Sequence, residues 1–282
     1  MIELTWRRLI STVISVITPV YQGENFIECC IKTVIDQGCS HVEHIIVDGG
    51  SHDRTVQIIR RYVGEYPHIR WISEKDKGQS DAMNKGISMA NGKILGILNV
   101  DDFYEPNVLN RVSEIFANLP EPSLVVGNCN VWDEKGNLIL VNRPKNLKLT
   151  DLLLGMKVNN FPLNPSAYFY HASLHREIGL YELDDHYSMD LDFLLRAVQA
   201  ANVKYIDENW GNFRYLPGTK TFQDCKNGRH PHRMGQLMTD YWKGLSSTQK
   251  WELTIKQRSY DYKKRIRGFL GRAMKRSHTI SN

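Results

Sequence analysis

Two aspartates stand side by side after a short apolar run, in Leu98-Asn99-Val100-Asp101-Asp102. Adjacent carboxylates on a turn repel one another unless they are solvated or neutralised. A hard divalent cation, Mg2+ or Mn2+, neutralises them and can bridge protein carboxylates to a diphosphate. The competing reading is a solvated turn in which Asn99 or Asp102 caps the chain. Other polar groups recur in similar places. Thr18 and Pro19 close the apolar run 13–17, Asp48 follows His44 to Val47, and Glu74 and Asp76 follow Ile69 to Ile72. Far down the chain stand Asp190 and Asp192, at the start of an apolar helical pattern. No G-x-G-x-x-G follows the first run and no G-x-x-x-x-G-K-[ST] occurs, so a bound nucleotide's phosphates need a counter-charge other than a glycine-rich loop.

The elements that must carry these residues alternate. Strands are expected at 13–17, His44 to Val47, Ile69 to Ile72 and Ile94 to Leu98, the first stopping at Thr18-Pro19. Helices are expected at Asn25 to Asp36, after Ser51 or Asp53 as cap, and at Asp81 to Met89. This order argues an α/β fold, a mostly parallel sheet with helices on both faces. In such a sheet the carboxyl ends of the strands share one edge, where ligands bind. Thr18, Asp48, Asp76 and the pair Asp101-Asp102 would therefore converge on one crevice, with Asp102 at its exposed edge.

The second half is less regular. Short strands at Leu124 to Val126 and Asn130 to Trp132 precede a hairpin turn at 133–137, a helix at Leu147 to Leu154, and a core strand at Val203 to Ile206. The proline-broken loop 159–166, which contains Asn164, is expected to shape an acceptor pocket. Segment 216–221 reads as mobile, with Thr219 or Lys220 touching phosphate. Asp190 falls in the first turn of a helix, where backbone N–H groups and the dipole favour an ionised carboxylate. Asp192 is offset by about 200° around that helix and points elsewhere. Arg196 reads as an ion-pair residue. His230 and His232, among Arg229 and Arg233, lack a third metal ligand and read as a phosphate-contacting or solvated loop.

Composition bounds the rest. The chain has 282 residues, 41% hydrophobic and 24% charged, which excludes disordered and fibrous classes. Leu9 to Val20 is too short and too polar to span a membrane, and the N-terminal run lacks a cleavage site, so a cytoplasmic location is the default expectation. The odd count of five cysteines, without C-x-x-C, reads as reduced thiols. From Lys256 to Arg276 there are nine basic residues and one acidic, a net +8, against +5 for the whole chain. Ile266, Phe269, Leu270, Ala273 and Met274 follow helical steps there. A basic amphipathic helix of this kind suits an anionic membrane surface, the alternative being a helix docked on the domain. No nucleic-acid recognition motif occurs.

Thr18-Pro19-Val20-Tyr21, Asp48-Gly49-Gly50-Ser51-His52-Asp53-Arg54-Thr55, the stretch Glu74 to Gly86, Leu98 to Asp102, and Ser188 to Arg196 together resemble the family 2 glycosyltransferases with a GT-A fold. The resemblance spans roughly 13–217. It implies transfer of a sugar from a nucleotide-diphospho-sugar, UDP-linked by expectation, to a hydroxyl with inversion. It implies Asp190 as general base, and Thr18, Pro19, Tyr21, Asp48, Asp76, Asn84, Lys85 and Asp101 around the nucleotide. Asp102 would bind Mn2+ or Mg2+ directly, and Asp101 would bind it through water or touch the ribose. A lipid-linked saccharide in surface polysaccharide or glycan synthesis is the expected acceptor, on the inner face of the plasma membrane. Two departures stand out. Met189 occupies a position where the family often has Glu, and the Q-x-x-R-W motif of processive members is absent, which favours single addition. An inactive nucleotide-sugar-binding homologue and a sugar nucleotidyltransferase are the alternatives. The expected organisation is an N-terminal segment 1–12, a GT-A domain 13–217 with a nucleotide half 13–118 and an acceptor half 119–217, a mobile connecting region 218–250, and a basic tail 251–282.

Overall fold

The computed structural model describes residues 14–155, 158–184, 188–217, 219, 222–223 and 226–280, with side chains except at 229–231 and 267–280. Among them one sheet of nine strands runs through the molecule. Strands β1 (Ile14–Val20), β2 (Val42–Asp48), β3 (Ile69–Ser73) and β4 (Ile94–Ile97) are parallel, in the order β3-β2-β1-β4. Helices α1 (Ile27–Ile35), α2 (Thr55–Glu65) and α3 (Gln79–Met89) connect them. The mixed half follows: β5 (Phe103–Tyr104), α4 (Val108–Phe116), β6 (Ser123–Trp132), β7 (Leu138–Asn142), α5 (Leu149–Leu152), a 3-10 turn at Pro165–Ala167, β8 (Tyr168–His171), α6 (Leu174–Ile178), α7 (Met189–Ala200) and β9 (Asn202–Arg214). β8 lies antiparallel between β4 and β6, and β9 runs parallel to β6. Two helices close the described chain, α8 (Arg229–Gly244) and α9 (Ser247–Ile280).

The period-two alternation of strands decides which side chains meet which helices. On β1, Ile14, Val16 and Val20 face α1, α2 and α4, whereas Ile17 faces α3 and α7. Both faces are therefore covered, which is why β1, β2 and β4 are buried along their whole length and read as near-continuous apolar runs. On α1 the buried Ile27, Cys30, Ile31 and Val34 recur at three- and four-residue steps. α3 lies unusually close to β1. A Cβ at Gly86 would sit 2.3 Å from Ile17 Cγ2, so only glycine admits this approach.

The sequence expectations are revised in five places. β1 continues through Pro19 instead of stopping at it. Ile17 O accepts from Leu98 N and Val20 O from Gly49 N, so residue 19 faces the β4 side, where the ladder has already ended and no donor is needed. The two short strands around residue 128 are one strand, β6. The helix expected over 147–154 is only the single turn of α5. The core strand expected at 203–206 is the partly exposed beginning of β9, because only the later half of β9 is covered by β5. Region 218–250, expected as a connection, contains α8, whose Met234 and Leu237 are buried against α7's core cluster.

Candidate active site

Beyond the carboxyl ends of β1 and β4 lies a cavity of about 610 Å3. The turn after β1 contributes Pro19 and Tyr21, and the β3–α3 connection contributes Asp76 and Gln79. The turn after β4 adds Asn99 and Asp101, the loop before the 3-10 turn Leu163 and Asn164, α7 Asp190, and the segment after β9 Leu216 and Thr219. Seven of the sequence-selected residues, Pro19, Tyr21, Asp76, Asp101, Asn164, Asp190 and Thr219, thus share one cavity.

Asp76 is held by the Gly78 N–H, which donates to Oδ1 at 2.9 Å. A Cβ at position 49 would lie 2.5 Å from Asp76 Oδ2. Gly49 therefore leaves the space that the Asp76 carboxylate occupies. Tyr21 is exposed on the rim.

The two aspartates of the pair differ in their surroundings. Asp102 is 1% exposed and does not line the cavity. Asn164 Nδ2 (2.7 Å) and Asn99 Nδ2 (3.1 Å) donate to its Oδ2, and the Arg214 N–H donates to its Oδ1 at 3.3 Å. Its oxygens are spent on the protein, joining the β4 turn to the loop before β8 and to the end of β9. Asp101 is the member that lines the cavity, whereas Asp102, expected at the exposed edge, lies buried behind it. Burial, then the neighbouring Asp101, raises the Asp102 carboxyl well above the usual range. Burial also raises Asp101, against the opposing charge of Arg214. Two crowded, desolvated carboxyls beside a cavity are a site that a hard cation would relieve, so the residues fit a divalent ion. Among the described residues no group of three or more His, Cys, Asp or Glu forms a cage, so such an ion would take its remaining oxygens from the ligand.

Asp190 stands in the first turn of α7. Three residues on, Phe193 packs between Tyr170 (4.7 Å between ring centres) and Tyr181 (5.2 Å), which fixes the helix start. Asn84 clamps the approach to α7: its amide donates to Tyr181 O at 2.8 Å and accepts from Tyr181 N at 3.0 Å. Asp192 diverges as its offset requires. It pairs with Arg196 at 2.8 Å and accepts from the Tyr241 hydroxyl of α8. Met189 is buried, its sulfur accepting from Ser80 Oγ at 3.2 Å, so the position that departs from the family pattern is a packing contact between α7 and α3.

Four expected nucleotide contacts lie outside the cavity. Alternation turns Thr18 toward α1, where it is fully buried against Cys30 and 2.9 Å from His44 Nε2. Asp48 is fully buried and accepts from the Gly50 and Ser51 amides, Ser51 Oγ and Ser73 Oγ, which shapes the turn after β2. Asn84 is the clamp just described. Lys85 pairs with Glu74 at 2.8 Å and with Asp81. Lys220 lies outside the described residues. Sequence reasoning missed Arg214, whose charge acts on Asp101 and whose guanidinium lies 4.7 Å over the Phe103 ring. Nothing local marks it, because β9 brings it from more than a hundred residues away.

The chain matches the family model of glycosyl transferase family 2 over residues 15–175, more than half its length and ending before α7. It is 27% identical over 233 residues to the glycosyltransferase EpsJ of Bacillus subtilis, covering 79% of this chain and 67% of that protein. It is 32% identical over 127 residues to the chondroitin synthase of Escherichia coli, covering 45% of this chain but only 18% of that protein. Among solved structures, S. aureus TarS 1-349 in complex with UDP-GlcNAc superposes with a TM-score of 0.60 at 17% identity, over 74% of this chain and 60% of that one. The mannosyltransferase PcManGT from Pyrobaculum calidifontis, in complex with GDP-Man and Mn2+, does so at 0.53 and 17%, over 74% and 59%. At these identities the structural likeness concerns the fold.

Proposed function

This chain belongs to glycosyl transferase family 2, with the GT-A fold and a nucleotide-sugar as donor, and from that premise we propose a single-addition, inverting and metal-dependent sugar transfer. The observation that carries the proposal is the convergence of Asp76, Asp101 and Asp190 from three separate segments on one cavity.

The chain's own groups divide the work. Tyr21 on the rim offers its ring to the base, and Asp76 accepts from a base or ribose N–H or O–H. Asp101 would hold the divalent ion, Mn2+ or Mg2+, beside the donor's diphosphate. When bound, that ion supplies positive charge against the negative charge developing on the leaving diphosphate. Asp190 takes the proton of the acceptor hydroxyl as the acceptor oxygen attacks the anomeric carbon. The bond from that carbon to the diphosphate oxygen breaks with its electron pair, and the nucleoside diphosphate leaves. One carboxylate acting from the side opposite the leaving group suffices, unlike the acid-and-base pair of a hydrolase.

Uridine is the proposed base, and a hydroxyl of a lipid-linked saccharide in surface polysaccharide synthesis the proposed acceptor, reached by a cytoplasmic, peripherally bound enzyme. Calorimetry with UDP and with GDP in the presence of Mn2+ tests the donor. Tighter binding of UDP is expected, and tighter binding of GDP would overturn the uridine assignment.

A further inference from the structure

We infer that the outward face of α9 docks on a bilayer carrying anionic phospholipid headgroups. α9 has two apolar aspects, and the body covers only one. On the inward side Leu253 packs against the core cluster that includes α7. Lys256 Nζ bonds Asp151 Oδ1 of α5 at 2.6 Å, and Thr150 Oγ1 donates to Glu252 Oε1 at 3.1 Å. On the other side stand Trp251, Ile255, Tyr262 and Ile266, all exposed, Trp251 by 70% and Tyr262 by 66%. At about 100° per residue these four fall within about 60° of one another and roughly opposite Leu253, Lys256 and Tyr260. They form a stripe about 22 Å long, with nothing of the described chain over it.

The chemistry around the stripe selects the occupant. Arg258 and Arg265 are exposed beside it, and Lys263 and Lys264 are exposed farther round the helix, all within the segment 256–276 whose net charge is +8. An indole and a phenol on an apolar stripe flanked by cations are the groups that settle at the headgroup boundary of an anionic bilayer. A second exposed indole, Trp242 of α8, stands beside the start of α9, with Lys250 Nζ 5.0 Å from its ring centre. Pairing with a second copy through this face would bring like charges together, which disfavours self-association. Among the described residues no helix is long and apolar enough to cross a membrane, so the contact lies in the interface plane.

The stripe expected from the sequence, Ile266 to Met274, shares Ile266 with this face, and from Phe269 onward its side chains lie outside the described residues. The inference deepens the reading of a membrane-borne acceptor: α9 and α8 pack behind α7, which carries Asp190, so docking would hold the cavity at a fixed height above the bilayer.

Co-sedimentation of the full chain with vesicles of equal parts phosphatidylglycerol and phosphatidylcholine tests it, against pure phosphatidylcholine. The expected result is binding to the anionic vesicles that weakens with salt. Trp251→Ser, Ile255→Ser and Tyr262→Ser combined should weaken that binding by at least about tenfold. Arg258→Glu with Arg265→Glu should do the same and reduce its salt dependence. All five positions are exposed, and Mn2+-dependent UDP binding is expected to be unchanged in every variant. Absence of wild-type binding at low salt, undiminished binding by the serine variant, or a concentration-dependent dimer lost in that variant without vesicle binding would each overturn the inference. Failure of the glycosyltransferase reading would appear separately, as loss of nucleotide binding in the wild-type chain.

Discussion

At the scale of single residues, the two neighbouring aspartates separate function from architecture. Asp101→Asn removes a cavity-facing charge without opening a void, so metal-dependent donor binding should be lost while the melting temperature changes little. Asp102→Ala strands the Asn99, Asn164 and Arg214 donors in a buried place. It should cost about 2–4 kcal/mol of stability and lower the melting temperature by several degrees. Thermal unfolding beside calorimetric titration of Mn2+ and UDP distinguishes the two, and equal melting temperatures would refute the division. The sequence could mark this pair as special because adjacent carboxylates after an apolar run need an explanation. It could not say which one faced the ligand, because Asp102's partners sit on remote segments. Thr18 and Asp48 lie outside the cavity lining for a related reason. Position at a strand end is legible, whereas the face on which a side chain emerges depends on register and on neighbours such as His44, Ser51 and Ser73. Asp76 follows the end of β3 and Asp190 opens α7, and at both places the fold turns the chain toward the crevice, so their place in the cavity lining follows from element boundaries that the sequence marks.

At the scale of elements, the parallel half was readable and the mixed half was not. β1 to β4 are covered on both faces, so their apolar runs and intervening helical periods survive as a local signal. β6, β8 and β9 are paired antiparallel or by long-range register, with shifts near residues 126–129 and partners fixed only by the whole fold. The tight seam between α3 and β1 gives this scale its prediction. Gly86→Ala forces a Cβ onto Ile17 and must push the helix away, at a cost of about 1–3 kcal/mol. Since α3 also carries Gln79 into the cavity and Asn84 to the segment before α7, donor affinity should fall with stability. Urea unfolding and a UDP titration on the same variant check both, and an unchanged unfolding midpoint would mean that the seam yields freely.

At the scale of the whole molecule, His44, fully buried on β2, links stability to pH. Burial, aided by nearby His68, lowers its pKa from 6.5 to about 3, so the folded chain keeps it neutral where the unfolded chain protonates it. The unfolded state therefore binds more protons between those values. The contribution of His44 is fully present above about pH 6.5 and is lost as pH falls, at up to about 1.4 kcal/mol per pH unit. The raised carboxyls of Asp101 and Asp102 act with the opposite sign. The test is consequently a difference: with metal chelated, the urea midpoint of the wild type should fall more between pH 7 and pH 5.5 than that of His44→Gln. Parallel slopes would remove His44 from the account. The central claim concerns the reaction itself, and time-resolved proton NMR of a UDP-α-hexose turned over with Mn2+, water standing in for the acceptor, tests it most directly. The account predicts the β-anomer of the free sugar first, from the wild-type chain. It also predicts a rate at least about a hundredfold lower in Asp190→Asn, whose donor affinity changes little. Initial release of the α-anomer, or near-wild-type turnover without the Asp190 carboxylate, would contradict it.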